Sequence, residues 1–171
     1  VEGAGRASLA GITHDEKGAF VLTSIENGPL EEAVITRLSL DPRIPQSTEI
    51  AVGASDGLVT LRGTVESFAQ RRAAMRDARA TDGVYEVDDQ LRVNLLGSSI
   101  RDDDEIRGAA LQILIWDAEV PAEWVDVKVQ EGWVTLTGRV DYQFQSDAAF
   151  EDVASLYGVV GMNNDIRVVT P

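Results

Sequence analysis

The sequence predicts an α+β protein made of two tandem copies of one small domain, each running α-β-β-α-β. Three observations lead there. "DGLVTLRGTV" at 56–65 returns as "EGWVTLTGRV" at 131–140, an offset of 75 that pairs Gly57 with Gly132, Leu61 with Leu136 and Gly63 with Gly138. The match extends outward: "GVYEVDDQLRV" (83–93) aligns with "GVVGMNNDIRV" (158–168) at 75, and "LEEAVITRLSLDPRIP" (30–45) with "IRGAALQILIWDAEVP" (106–121) at 76. In both copies helical apolar spacing gives way to strict alternation at matching places. A long period occurring twice means two domain copies rather than a solenoid. The expected boundaries are an extension at 1–28, domains at 29–96 and 103–171, and a linker at 97–102.

Each element has its own signal. Leu30, Val34 and Leu38 recur at i, i+4, i+8, as do Ile106, Ala110 and Leu114, which gives an amphipathic first helix. Pro29 suits its first turn. In the second copy, Asp102-Asp103-Asp104-Glu105 supplies an N-cap and first turn that complement the helix dipole. Consecutive carboxylates lack the spacing of a calcium loop. Ile50, Val52 and Ala54, or Val125, Val127 and Val129, alternate along a strand. Asp56-Gly57 or Glu131-Gly132 then turns a hairpin. The returning strand puts Val59, Leu61, Gly63 and Val65, or Val134, Leu136, Gly138 and Val140, on one face.

A second helix opens at Ser67-Phe68-Ala69-Gln70, which has capping-box spacing. Ala74 and Ala78, or Ala149 and Val153, mark its buried stripe. Gly83 or Gly158 is expected at its C′ position. A final strand over 91–95 or 166–169 follows. The crossover leaves it parallel to the hairpin's second strand. Each copy is thus a three-stranded mixed sheet with both helices on one face. Gly57, Gly63, Gly83, Gly132, Gly138 and Gly158 are read as structural, with Gly63 and Gly138 allowing a helix to approach the sheet. Each copy has only ~65–70 residues and buries a marginal core alone.

Composition narrows function. The chain has 171 residues, no cysteine and one histidine. Its net charge is −14, and residues 97–171 hold 5 basic against 14 acidic side chains. Such a chain is repelled by nucleic-acid backbone and by anionic lipid, so no nucleic-acid partner is expected. No apolar run reaches the ~18 residues of a membrane span. Disulfides and thiolate chemistry are excluded. His14 lies outside both repeats, so no Ser–His or Cys–His constellation and no zinc site forms within them. No Gly-rich phosphate loop is present. No catalytic residue, metal or cofactor is expected, and the protein is read as non-enzymatic.

These residues resemble the BON domain, a repeat of bacterial osmotically inducible, nodulation-related and transport-associated proteins. The resemblance rests on the first helix, the "DG-x-V-T-L-x-G-x-V" hairpin, the Ala-rich second helix and the "GV-x-x-V-x-(N/D)-x-(L/I)-x-V" ending. It covers about 29–95 and 103–170. Met162 replaces the usual Val of that ending, a conservative packing change. The second copy is similar to one branch of tandem-BON proteins: Trp116 closes its first helix, and "GWVTLTGRVDYQFQ" runs over 132–145. That branch often lacks a secretion signal and carries a third copy downstream, which implies a cytoplasmic protein. A signal removed before Val1 would imply the periplasm instead. The resemblance implies a module of the envelope or osmotic-stress response that binds phospholipid surfaces. The alternative is a cytoplasmic stress module acting by protein contacts or by sensing a cation such as potassium.

Two surfaces are candidates. Arg72, Arg76 and Arg79 fall at i, i+4, i+7 with Arg71 beside them, either a solvated helix face or a landing strip for lipid phosphates. The open sheet faces carry Leu58 in one copy and Trp133 with Arg139 in the other. They offer an interface for an envelope partner or for self-association. Seven of the ten aromatics lie in the second copy. Most of them are expected in core or rim packing, with Trp133 on the open face as the interface anchor. "RASLAGIT" and "GAFVLTSI" in the extension suit either a hairpin or a leader.

Overall fold

The computed structural model describes residues 28–45 and 49–169. The extension, with its expected hairpin or leader, lies outside the described residues. Helix α1 spans Pro29–Leu40, with Pro29 in the first turn, Glu31 and Glu32 at its positive end and Arg37 at its negative end. Strands β1 (Ile50–Ser55) and β2 (Leu58–Val65), helix α2 (Phe68–Arg79) and strand β3 (Glu86–Val93) complete the first repeat. The second repeat is α3 (Asp103–Trp116), β4 (Val125–Gln130), β5 (Trp133–Val140), α4 (Gln143–Ala154) and β6 (Gly161–Val168).

Each repeat has one sheet, ordered β1-β2-β3 or β4-β5-β6. The hairpin pair is antiparallel and the crossover pair parallel, in the same register in both copies. Each repeat buries its own core. Val34, Leu38, Val59, Leu61, Ala74 and Ala78 meet in the first. Ile106, Ala110, Leu114, Val134, Leu136, Ala149 and Val153 meet in the second. Alternation on β2 and β5 decides which face the helices cover.

Both hairpins close with two residues at positive φ: Asp56 at 50° and Gly57 at 81°, Glu131 at 51° and Gly132 at 75°. That is the type I′ geometry that matches strand twist. The first-turn acids of α3 divide their work. Asp102 and Glu105 form a reciprocal capping box. Asp103 instead accepts both turn N–H groups, from Glu131 and Gly132, at 2.8 Å each.

Three expectations change. Gly63 and Gly138 are needed, but not for a helix. Their φ values are 135° and 141°, and a Cβ would run into the carbonyl of Glu49 or Trp124, where the chain enters the neighbouring edge strand. Gly83 and Gly158 are not at C′. The caps are Ala80 and Ser155, and each glycine turns the chain into the last strand at φ 92° or 90°. That strand starts five residues earlier than its apolar tail suggests, because it runs parallel to β2 or β5 from their first residues. Its polar run marks an edge, where charges block pairing with another chain.

Candidate functional site

The arginines of α2 do not form one open strip. Arg71 Nε donates to Asp89 of β3 at 2.7 Å. In the second repeat the equivalent residues are Ser146 and Asn164, joined by a neutral hydrogen bond of 3.0 Å. Arg72 reaches across to the other repeat. Its guanidinium forks onto the Glu151 carboxylate, one arm at 2.9 Å, and lies 4.8 Å over the Phe150 ring. Arg76 stands 3.8 Å from the same carboxylate. Arg72 holds the Glu151 carboxyl below its ordinary range, by hydrogen bonding first and charge second. Beside them, Phe68 of α2 packs against the core of the second repeat. This helix face therefore joins the repeats. Arg79 makes no ion pair among the described residues and lines an open groove with Arg72, Met75 and Arg76.

The two open sheet faces differ in character. Leu58 is half-buried, and its cross-strand neighbour is Glu86. Trp133 is 42% exposed, and its neighbour is Gly161. The indole lies so close to Gly161 that any Cβ there would strike the ring, so Trp133 covers the backbone that a side chain would otherwise cover. Its surroundings are Lys128, Gln130, Glu131, Thr135 and Asn163. Arg139 is exposed at the far end of the same strand, directly opposite Arg167 of β6.

Below the helix ends the repeats diverge again. In the first, Asp41 is forked by Arg43, which also stands 3.7 Å from Asp77. Arg43 holds the Asp41 carboxyl far below its ordinary range. Burial, and then Asp41, push Asp77 up. The second repeat has Asp117, Glu119 and Asp152 at the equivalent positions, so the arginine is replaced by another carboxylate. Burial first, then Asp117 and Glu119, raise Asp152 to about 6.

The aromatics of the second repeat are more exposed than core packing would leave them. Of the seven in the second repeat, six are exposed: Trp116, Trp124, Trp133, Tyr142, Phe144 and Tyr157. Phe150 alone is half-buried. Strand alternation places Trp133 on the open face, but Trp116, Trp124, Tyr142, Phe144 and Tyr157 lie in loops and at helix ends, where no apolar period assigns a side chain to a face. Tyr142 and Phe144 stack on each other with ring centroids 5.7 Å apart. No helix among the described residues is long and apolar enough to cross a membrane, and no cluster of metal-ligating side chains forms among them.

A family model described as the BON domain matches residues 27–94 and 102–170. The chain is 35% identical over 126 residues to osmotically-inducible protein Y of Escherichia coli (strain K12), covering 71% of this chain and 63% of that protein. It is 31% identical over 149 residues to a 21 kDa hemolysin of Actinobacillus pleuropneumoniae, covering 86% and 75%. It thus spans less than two thirds of the length of the first of these relatives. Among solved structures, CdsD, a structural protein of the type III secretion system of Chlamydia trachomatis, matches with a TM-score of 0.36 and 14% identity, over 83% of this chain and 63% of that one.

Proposed function

Because the chain belongs to the BON-domain family and carries the domain twice, we propose that it is a non-enzymatic binding module that associates with phospholipid surfaces of the cell envelope during osmotic or related stress. The relatives supply the setting: one is named for osmotic induction and the other for hemolysis. The observation that carries the proposal is the uneven distribution of exposed apolar side chains. The second repeat exposes Ile115, Trp116, Trp124, Trp133, Tyr142, Phe144, Tyr157, Val168 and Val169, far more than the first. Exposed apolar surface on this scale marks a contact with another phase or partner. Flotation with phospholipid vesicles at low and at physiological salt tests the proposal. The protein is expected to float at both.

A second reading is a stress-response module that works through protein contacts. Exposed Trp, Tyr and Arg favour it, because these side chains dominate protein hot spots. The net charge of −14 also disfavours strongly anionic membranes. Absence of flotation at both salts would leave this second reading in place of the first. Cation sensing is the variant of it that predicts a melting temperature dependent on potassium concentration.

A further inference from the structure

At one end of the second repeat β4 begins, β5 and β6 finish, and α4 starts. Val169 N–H closes that end by donating to Val140 O at 2.8 Å. Around it stand Trp124, Tyr142, Phe144 and Val169, exposed by 63%, 54%, 52% and 50%. They come from three separate pieces of chain, Tyr142 and Phe144 both lying at the start of α4, so no single apolar period placed them there.

The first repeat is an internal control. It has the same register and the same closing bond, from Asn94 N–H to Val65 O at 2.8 Å. Its equivalent residues are Glu49, Ser67, Ala69 and Asn94, all small or polar. The fold therefore does not require large apolar groups at this end. Their presence in one copy alone calls for a contact outside the domain.

The charges around the end say what kind. Arg139 and Arg167 sit directly opposite each other on β5 and β6, and neither makes an ion pair among the described residues. The first repeat has Thr64 opposite Arg92. Like charges directly opposite on a sheet are destabilising unless an anion lies between them. Asp165 lines the same open groove as Arg139 and Arg167, and Asp126 and Asp165 both stand opposite Thr137, two residues before Arg139 on β5. A paired arginine site with carboxylates on one side of it is a poor match for a uniformly anionic surface. It complements a zwitterionic headgroup, with its phosphate toward the arginines and its ammonium toward the carboxylates. Aromatic rings that are apolar at the body and polar at the tip settle at that depth of a bilayer.

We propose that this end of the second repeat is the membrane-docking point of the chain, with Trp124, Tyr142, Phe144 and Val169 entering the headgroup region of a zwitterionic phospholipid bilayer and Arg139 and Arg167 holding its phosphates. The inference rests on the membrane reading above and gives it a location. The arginine face of α2, part of which joins the repeats, stays clear of the bilayer.

The test is co-sedimentation of the full chain with phosphatidylethanolamine/phosphatidylcholine vesicles, with and without phosphatidylglycerol. Wild type is expected to bind the zwitterionic vesicles, with no gain from phosphatidylglycerol. The triple variant Trp124→Ser, Tyr142→Ser, Phe144→Ala, which restores first-repeat chemistry, is expected to lose at least ten-fold in partition. Arg72→Glu is expected to lose less than two-fold. A chain that keeps only Trp124 (Trp116→Phe, Trp133→Phe) provides a second measurement, and its emission is expected to shift to the blue on vesicles. Wild type that binds no vesicle overturns the membrane reading and this inference together. Equal binding by wild type and triple variant, with no shift from Trp124, overturns the inference alone and leaves the membrane reading standing. A chain that binds only when phosphatidylglycerol is present overturns the headgroup assignment.

Discussion

Asp152 confronts Asp117 with no cation between them among the described residues, whereas their first-repeat counterparts Asp77 and Asp41 share Arg43. The residue equivalent to Arg43 is Glu119, which adds a third negative charge. Among the described residues, Asp152 Oδ2 and its counterpart Asp77 Oδ2 are both buried without a hydrogen-bond partner, but only Asp77 has an arginine near its carboxylate.

The second repeat should therefore be stabilised by mild acid. Asp152 rises from an ordinary 3.8 to about 6 in the folded repeat, so the fold holds a proton that the unfolded chain releases. For a raised carboxyl the stabilisation is complete below the unfolded value. It fades as pH climbs from about 4 to about 6 and is absent above that window. Asp152→Asn should remove this dependence and raise stability at pH 7.5 by about 1–2 kcal/mol. Urea unfolding of wild type and variant at pH 5 and 7.5 checks it. Equal pH responses in the two proteins would contradict the assignment.

Arg71–Asp89 and Ser146–Asn164 are the charged and neutral versions of one link between the second helix and the last strand. Arg71→Ala leaves the half-buried Asp89 without its cation and should cost about 1–3 kcal/mol. The double variant Arg71→Ser, Asp89→Asn copies the second repeat and should recover most of that loss. A double-mutant cycle measures the coupling. Additive costs would show that the two residues do not act as a pair.

Gly63→Ala and Gly138→Ala should each cost at least about 2–3 kcal/mol, since both the backbone conformation and the facing carbonyl reject a Cβ. Gly53→Ala meets open space on the edge strand and should be near neutral. Denaturant midpoints of the three variants decide between this account and one in which a helix sets the need for glycine.

The joint through Arg72, Glu151 and Phe150 should couple the unfolding of the repeats. Glu151 is more than half exposed, so the ion pair alone contributes only about 0.2–1 kcal/mol. Arg72→Ala combined with Phe68→Ser should nevertheless split one calorimetric transition into two. A single unchanged transition would mean that the repeats are held together elsewhere.

How much the sequence revealed follows from periodicity. Val34 and Leu38, or Val59 and Leu61, announce helix and strand because burial imposes a period on them. The repeat then doubles each signal, which made the order of the elements legible. Glu86 to Gln90 hid most of β3, because an edge strand is polar and does not read as a strand. The arginines of α2 were legible as a stripe. Their partners were not, since Glu151 lies 79 positions from Arg72 in the chain and no local rule connects them. The apolar end of the second repeat was the least legible feature. Trp124, Tyr142 and Val169 share one end of the repeat only once three strands have been paired in register and a helix packed on them.

The most direct test of the account is residue-resolved amide NMR of the full chain titrated with zwitterionic vesicles. Line broadening should begin at Trp124, Tyr142, Phe144 and Val169 and leave the equivalent first-repeat positions Glu49, Ser67, Ala69 and Asn94 sharp. Broadening that begins on the α2 arginines or falls equally on both repeats would contradict it, as would a spectrum that vesicles leave unchanged.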